Sequence, residues 1–354
     1  MNSVPDKTKS RHVVVAPNWI GDTAMAAPFL ASLRASLPGG RIEVVSSPWT
    51  AGLLRTFPWV DEVHTIGGKD GRGWWKSSFS VRRKLGGRWT GTVWLLPNSF
   101  RSALLGLWIG GGRRVGYATD GRGFLLSRAV APLPESSSLH LTDYYLGLLE
   151  AEGWPATHRR VQLPVTPEAA QFAEELISKK APSGSGPLIG LHPGAAFGES
   201  KTWPAESFAR LAKGLTASLG ARVLILGGPG ETELAGWVAS ASDGAASSIA
   251  GEDTLETLPG VLAGLDLLVS GDTGPLHVAA LAGTKTISFF GPTDHRRTAP
   301  RGAPHRTLRR ELECSPCFER VCPLGHHKCM KEITPEEVEE EVKEILRAGV
   351  RAAE

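Results

Sequence analysis

Residues 266–294 read DLLVSGDTGPLHVAALAGTKTISFFGPTD. The apolar spacing predicts a buried strand over 267–270, a polar turn at Gly271-Asp272-Thr273-Gly274, a helix opening at Pro275 and a second strand over 286–290. An apolar run this short, flanked by a helical pattern, belongs to a parallel sheet covered on both faces. Glycine in the turn lets backbone approach a ligand closely, and proline at a first helical position needs no N–H partner. The N–H groups and dipole of such a helix start attract an anion, and in open α/β sheets ligands bind at the carboxyl ends of strands. The stretch therefore reads as a phosphate or diphosphate turn.

The same unit opens the chain. Residues 13–16 form an apolar run, 17–22 (PNWIGD) form a turn, and helical spacing continues to Pro38. Asp22 stands at that helix start, where a carboxylate serves either as an N-cap or as a general base at the mouth of the sheet. Further strands are expected at 41–46, 63–66, 92–96 and 113–117, and an amphipathic helix at 139–152 in which His140 caps or packs. A helix over 168–179 and the run APSGSGP then read as a linker. After it, strand–helix alternation restarts at 188–192, 204–219, 223–227 and 232–241. The pattern implies an α/β protein of two doubly wound, Rossmann-like parallel-sheet domains facing across a cleft, the GT-B arrangement, a layout equally that of other two-domain nucleotide-sugar enzymes. Its expected divisions are 1–166, a linker at 167–187, a second domain at 188–334, and a terminal helix at 335–354 that returns to the first domain.

Composition limits the function classes. Hydrophobic residues at 41% and charged residues at 21% are ordinary for a globular chain. No apolar run reaches transmembrane length, and MNSVPDKTKSRH carries no apolar signal core, so a cytoplasmic protein is expected. The net charge of +3 conceals an asymmetry: residues 1–160 hold 20 Lys+Arg against 11 Asp+Glu, the remainder 19 against 25. A basic first half points to an anionic partner. Within it, GRGWWKSSFSVRRKLGGRW (71–89) interleaves Arg72, Lys76, Arg82, Arg83, Lys84 and Arg88 with Trp74, Trp75 and Phe79. That mixture suits either an anionic membrane surface or a solvated helix with a few core aromatics. A nucleic-acid binder would leave the ordered ligand loops without a purpose.

All four cysteines cluster: Cys314, Cys317, Cys322 and Cys329, with His326 and His327 between the last two. In a cytosolic chain such a cluster argues for metal before disulfides, although the spacing departs from a paired zinc-ribbon pattern. It stands as a candidate structural zinc site, with disulfides or free thiols as the alternative.

Pro17-Asn18-Trp19-Ile20-Gly21-Asp22 with Pro28, His192-Pro193-Gly194-Ala195 through Lys201-Thr202-Trp203-Pro204, Ser270–His277 and Phe290–Asp294 resemble, in order, the elements of the bacterial lipopolysaccharide heptosyltransferases of glycosyltransferase family 9. The first of these favours its type II branch. The resemblance implies inverting transfer of L-glycero-D-manno-heptose from ADP-heptose to the heptose of a lipid A–Kdo–heptose acceptor, with no catalytic cofactor, at the cytoplasmic face of the inner membrane. No Asp-x-Asp pair, the usual carboxylate device for a metal–diphosphate, occurs in the chain. Fixed cations and helix N–H groups would then absorb the charge of the leaving ADP. The resemblance assigns the base to Asp22 and the diphosphate cation to Lys201, assisted by Thr273 and Gly274. Asp272 either accepts from donor hydroxyls or shapes the turn, and His277 either touches donor or packs. Glu231, or Glu233 two residues on, suits the ribose hydroxyls, and Thr254 and Leu255 the adenine. Asn98, Ser99, Arg101, Arg113 and Arg122 are the expected acceptor contacts, through phosphates or Kdo carboxylates. Cysteine-rich segments occur in some members of the family and not others, which points away from catalysis. A heptosyltransferase of another core position and, more remotely, a nucleotide-sugar epimerase are the rival enzyme readings; an epimerase needs a second acid/base partner for Asp22.

Overall fold

Six short strands of the first unit pair in parallel in one sheet, and six of the second in another. The computed structural model describes residues 10–67, 73–87, 89, 91–132, 138–302 and 304–351. The chain divides into compact units Met1–Val161 and Gln162–Glu354.

In the first unit the chain runs β1 (Arg11–Val15), α1 (Ile20–Met25), α2 (Ala27–Ala35), β2 (Arg41–Ser46), α3 (Pro48–Arg55), β3 (Glu62–Thr65), α4 (Trp74–Lys84), β4 (Gly91–Leu95), α5 (Phe100–Ile109), β5 (Arg113–Tyr117), β6 (Arg128–Val130) and α6 (Leu141–Ala151). The core is the expected two-faced burial: Val13, Val15, Val45, Val93 and Leu95 meet Val81, Leu85, Ala103 and Ile109 from α4 and α5. His140 is the N-cap of α6, its Nδ1 accepting from Thr142 N at 3.2 Å, which agrees with the capping role read from sequence.

The second unit runs α7 (Pro167–Lys180), β7 (Leu188–His192), α8 (Ala205–Leu219), β8 (Arg222–Ile225), α9 (Thr232–Ala241), β9 (Ala246–Ser248), α10 (Leu258–Ala263), β10 (Leu267–Gly271), α11 (Gly274–Ala282), β11 (Lys285–Phe290), α12 (His295–Thr298), β12 (His305–Arg309), α13 (Lys328–Lys331) and α14 (Pro335–Arg351). Two segments differ from the sequence reading. Most of the stretch read as a linker is α7, capped by Thr166 and burying Ala169, Ala173 and Leu176. It lies so close to α10 that a Cβ at Gly260 would fall 2.2 Å from the Ala169 carbonyl oxygen. The terminal helix α14 packs within the second unit: Val338, Val342 and Ile345 are buried in its core, beside Phe208 and Leu211 of α8. Trp203 ties this region together, donating from Nε1 to Ile333 O at 2.8 Å and packing against Phe208 and Phe289.

The sheet orders, β3-β2-β1-β4-β5-β6 and β12-β11-β10-β7-β8-β9, both follow the Rossmann strand order. It reverses direction between β1 and β4 in the first and between β7 and β10 in the second. The crevices at these switch points lie outside the carboxyl ends of those strands, beside the loops after β1, β4, β7 and β10, the place where open α/β sheets generally bind ligands.

Candidate functional site

In the second unit the loop after β7 and the turn after β10 meet over the switch point. A 3-10 turn (Glu199–Lys201) delivers Lys201, and the carbonyl of Lys201 lies 3.0 Å from where a Cβ on Gly271 would stand, so this approach is tight. Lys201 Nζ pairs with Asp272 Oδ2 at 2.6 Å, donates to the Asp272 carbonyl at 3.2 Å, and sits 4.8 Å from the Phe197 ring centroid. The Asp272 carboxylate is buried and shared: Oδ2 also accepts from Thr293 at 2.8 Å, while Oδ1 lies 3.2 Å from His277 Nε2 and accepts from Thr298 at 3.4 Å. Burial alone would raise its pKa; the hydrogen bond from His277 and the charge of Lys201 hold it well below the usual carboxylate range. The Asp272 and His277 side chains face inward and bind the turn, the lysine and the loop after β11 to one another.

Thr273 is the N-cap residue of α11, but its hydroxyl is 2.9 Å from Ser270 Oγ and 3.4 Å from His192 Nδ1, and no side chain caps the helix. The first N–H groups of α11, from Gly274 onward, therefore keep their anion-binding capacity beside Lys201. His192 continues the connection: its Nε2 is 3.4 Å from Glu231 Oε2. Glu231 Oε2 accepts Gly228 N at 2.7 Å, and its Oε1 is 1.8 Å from where a Cβ on Gly194 would stand, so that glycine makes room for the carboxylate. Burial opposes ionisation of Glu231, and His192 overrides it and lowers the pKa. Glu233 is exposed on the first turn of α9 and takes no part in this network. Thr254 is exposed and hydrogen-bonded in a turn with Thr257, and Leu255 beside it is half-buried. The neighbouring Asp253, which the sequence did not single out, is pushed up to about 6 by burial against the pull of His192. His192, Thr293 and Thr298 were likewise missed. The available signal for two of them was a polar residue at the carboxyl end of an apolar strand or in the turn just after one.

In the first unit Asp22 is the third residue of α1, half-buried, with Trp19 as the N-cap residue and no side-chain cap. The N-cap alternative is thus corrected: the carboxylate sits inside the first turn of the helix that follows β1, favoured there by the dipole. Asn98 and Ser99 follow β4. Ser99 caps α5, accepting Ser102 N at 3.2 Å, and Asn98 Oδ1 accepts from Tyr144 at 3.1 Å. Arg101 is exposed, its guanidinium 5.0 Å from the Trp74 ring centroid.

The two other arginines depart from expectation. Arg122 is fully buried. It donates to Tyr117 O at 3.0 Å, to Ser102 Oγ at 2.8 Å and to Pro97 O, so it binds the loops after β4 and β5 together instead of facing a ligand. Arg113 begins β5, at the amino end of the sheet, and pairs with Glu152. It lies on the opposite edge from the switch-point loops. Of the basic-aromatic stretch, Arg72 and Arg88 fall outside the described residues. On α4, Trp75 is 70% and Phe79 60% exposed, beside exposed Lys76, Arg83 and Lys84. α5 packs on α4 and adds half-exposed Leu104 and Leu107. Among the described residues no helix is long and apolar enough to cross a membrane.

The four cysteines form no disulfide. With His326 and His327 they line one small enclosed cavity of about 20 Å³, walled by Ser200, Gly291 and Pro292. Among the described residues, the one trio of metal-type ligand atoms within 4.8 Å of one another is Glu43, Glu62 and His64 in the first unit. There Arg11 at 2.6 Å and Arg41 at 2.9 Å already neutralise Glu43, making it a salt-bridge cluster.

Residues 78–328 match the pattern of "Glycosyltransferase family 9 (heptosyltransferase)". A lipooligosaccharide heptosyltransferase 2 of Campylobacter jejuni is 29% identical over 93% of this chain and 97% of its own length. The Escherichia coli lipopolysaccharide heptosyltransferase 2 is 28% identical over 94% and 98%. The structure of the E. coli ADP-heptose LPS heptosyltransferase II superposes with a TM-score of 0.79 and 27% identity, covering 96% of this chain and 99% of that one. With two Rossmann-ordered sheets and this sequence pattern over most of its length, the chain is a glycosyltransferase of the GT-B fold and belongs to family 9, the heptosyltransferases.

Proposed function

We infer that the chain transfers L-glycero-D-manno-heptose from ADP-heptose to the heptose already present on the lipid A–Kdo inner core, with inversion at the anomeric carbon. The observation that carries this reading is the pairing of Lys201 with Asp272 beside the uncapped start of α11, at the switch point of the second sheet. A cation and a set of N–H groups fixed there suit a diphosphate whose charge grows as the glycosidic bond breaks. No divalent ion is called for: the one carboxylate at the turn has its oxygens taken by Lys201, Thr293, His277 and Thr298. Glu231, and not Glu233, is the ribose ligand on this reading, since it projects beyond β8 and is ordered by His192.

Asp22 of the first unit acts as general base, taking the proton of the acceptor hydroxyl as that oxygen bonds to the anomeric carbon and ADP departs. Asn98, Ser99 and Arg101 bind the acceptor, while Arg122 only shapes their loop. Trp75, Phe79 and the lysines and arginines of α4 bring the unit to an anionic membrane surface, their apolar rings entering the headgroup region. Vesicles of anionic lipid should retain the wild type and release a Trp75→Ser/Phe79→Ser variant.

The decisive assay offers ADP-heptose with heptose-bearing or heptose-free Kdo–lipid A. Transfer to the heptose-bearing acceptor alone supports the proposal. Transfer to the heptose-free one alone assigns a different core position, and failure of ADP to bind overturns the donor assignment altogether.

A further inference from the structure

We propose that Cys314, Cys317, Cys322 and Cys329 bind one zinc-class divalent ion as a tetrathiolate, and that the loaded site holds the loop carrying Lys201 in place. Three observations lead there. First, the four cysteines line one enclosed cavity of about 20 Å³, with no three of their sulfurs within 4.8 Å of one another before an ion draws them in. That volume accommodates a single water-sized particle. Second, a backbone N–H is directed at sulfur in a tight turn: His327 N donates to Cys322 Sγ at 3.4 Å, while Gly325 N donates to the Cys322 carbonyl at 3.1 Å. Third, residues 310–327 contain no helix or strand, and three of their large apolar side chains face solvent: Phe318 is 56%, Val321 61% and Leu324 62% exposed. A segment that buries so little cannot offset its ordering entropy by packing and needs a cross-link.

The same segment is fastened to both loops of the phosphate turn. His327 Nε2 meets Ser200 O at 2.7 Å, Ser200 N donates to Arg320 O at 3.1 Å, and Ser200 Oγ to Glu319 O at 2.5 Å. On the other side Phe318 N donates to Pro292 O at 2.7 Å and Ser315 Oγ to Gly291 O at 2.6 Å. Ser200 precedes Lys201, and Pro292 precedes the Thr293 that holds Asp272. The ion draws the sulfurs to a common distance of about 2.3 Å, and a four-sulfur tetrahedron selects zinc or ferrous iron. Four thiols lose their protons on binding.

The link to Lys201 rests on the diphosphate reading above; the metal site does not. Chain purified reduced and free of chelator is expected to carry about one zinc or iron by elemental analysis. Its four thiols should react with a thiol reagent only after chelation, and cobalt(II) exchanged into the wild type should show thiolate-to-cobalt charge transfer. Cys317→Ser and Cys322→Ser should each weaken metal retention at least ~10-fold, and metal removal should weaken ADP binding about tenfold. A metal-free wild type with four reactive thiols, two disulfides per chain, or unchanged metal in both variants overturns the site. A loaded wild type that fails to bind ADP overturns the donor reading and leaves the site standing. Equal ADP affinity of loaded and stripped chains overturns the proposed hold on the lysine loop.

Discussion

Replacing Asp272 with Asn tests the inward role of this carboxylate. The change keeps volume but leaves one acceptor oxygen where two met four donors, and it turns an NH2 toward Lys201, Thr293, His277 or Thr298. It also strands the ammonium of Lys201, whose side chain is only 12% exposed. Removing one partner of a buried ion pair costs roughly 3–5 kcal/mol. Because the lysine can swing toward solvent, the lower end applies, about 3 kcal/mol. In a unit of this size that lowers the thermal midpoint by about 6–12 °C.

The sign of the pH dependence follows from the carboxyl's depressed pKa. The contribution is complete above the unfolded value near ~4, and is lost as pH falls through the folded value beneath it. Scanning calorimetry of wild type and Asp272→Asn at pH 7 and at successively lower pH measures both effects. A difference under about 1 kcal/mol at pH 7, or one that widens toward acid, refutes the assignment of Asp272 as the structural anchor.

Three further outcomes are expected. Lys201→Ala should weaken ADP binding about 10- to 100-fold by titration calorimetry, the worth of one charge-assisted contact to a diphosphate. Asp22→Asn should lower turnover by roughly 10²- to 10⁴-fold and leave ADP affinity within about twofold. Arg122→Ala should destabilise the first unit by about 3 kcal/mol, since the carbonyls of Pro97 and Tyr117 and the Ser102 hydroxyl lose one buried charged donor. Calorimetry should register it as a lower midpoint.

Much of the fold was legible because parallel strands covered on both faces announce themselves as apolar runs, as Val13–Ala16 and Leu267–Val269 do. Strands β6, β9 and β12 were not, being sheet edges of the form RAV, ASS and HRTLR that are short or half-polar. The spacing of α7 was read correctly, yet its place was not. What binds it is a close approach of Ala169 to Gly260, a contact between residues far apart in sequence. In the site, residue type fixed chemistry but not direction. Nothing local distinguishes an arginine that faces a ligand from one, like Arg122, that donates to buried carbonyls. Arg113 was avoidable, because the first residue of a parallel strand stands at the edge of the sheet opposite the ligand.

The two switch points also share a construction that neither sequence motif shows alone. In each, one buried charge ties neighbouring loops: Arg122 binds the loops after β4 and β5, and Asp272 those after β7, β10 and β11. The opposite signs follow from what each set of loops must present. A carboxylate behind Lys201 fixes the ammonium where a free lysine would spread over many rotamers, and its own charge is spent inward, so the surface left toward a ligand is cationic. In the first unit the amide oxygen of Asn98 accepts from Tyr144 and faces Arg122 Nη2 at 3.5 Å, leaving its NH2 as the group with capacity toward a ligand oxygen. Each buried ion therefore sets the polarity of the neighbour in front of it. The unit that carries Asp22 is thereby suited to order hydroxyl-rich or anionic groups, and the other to take up the charge of a departing diphosphate.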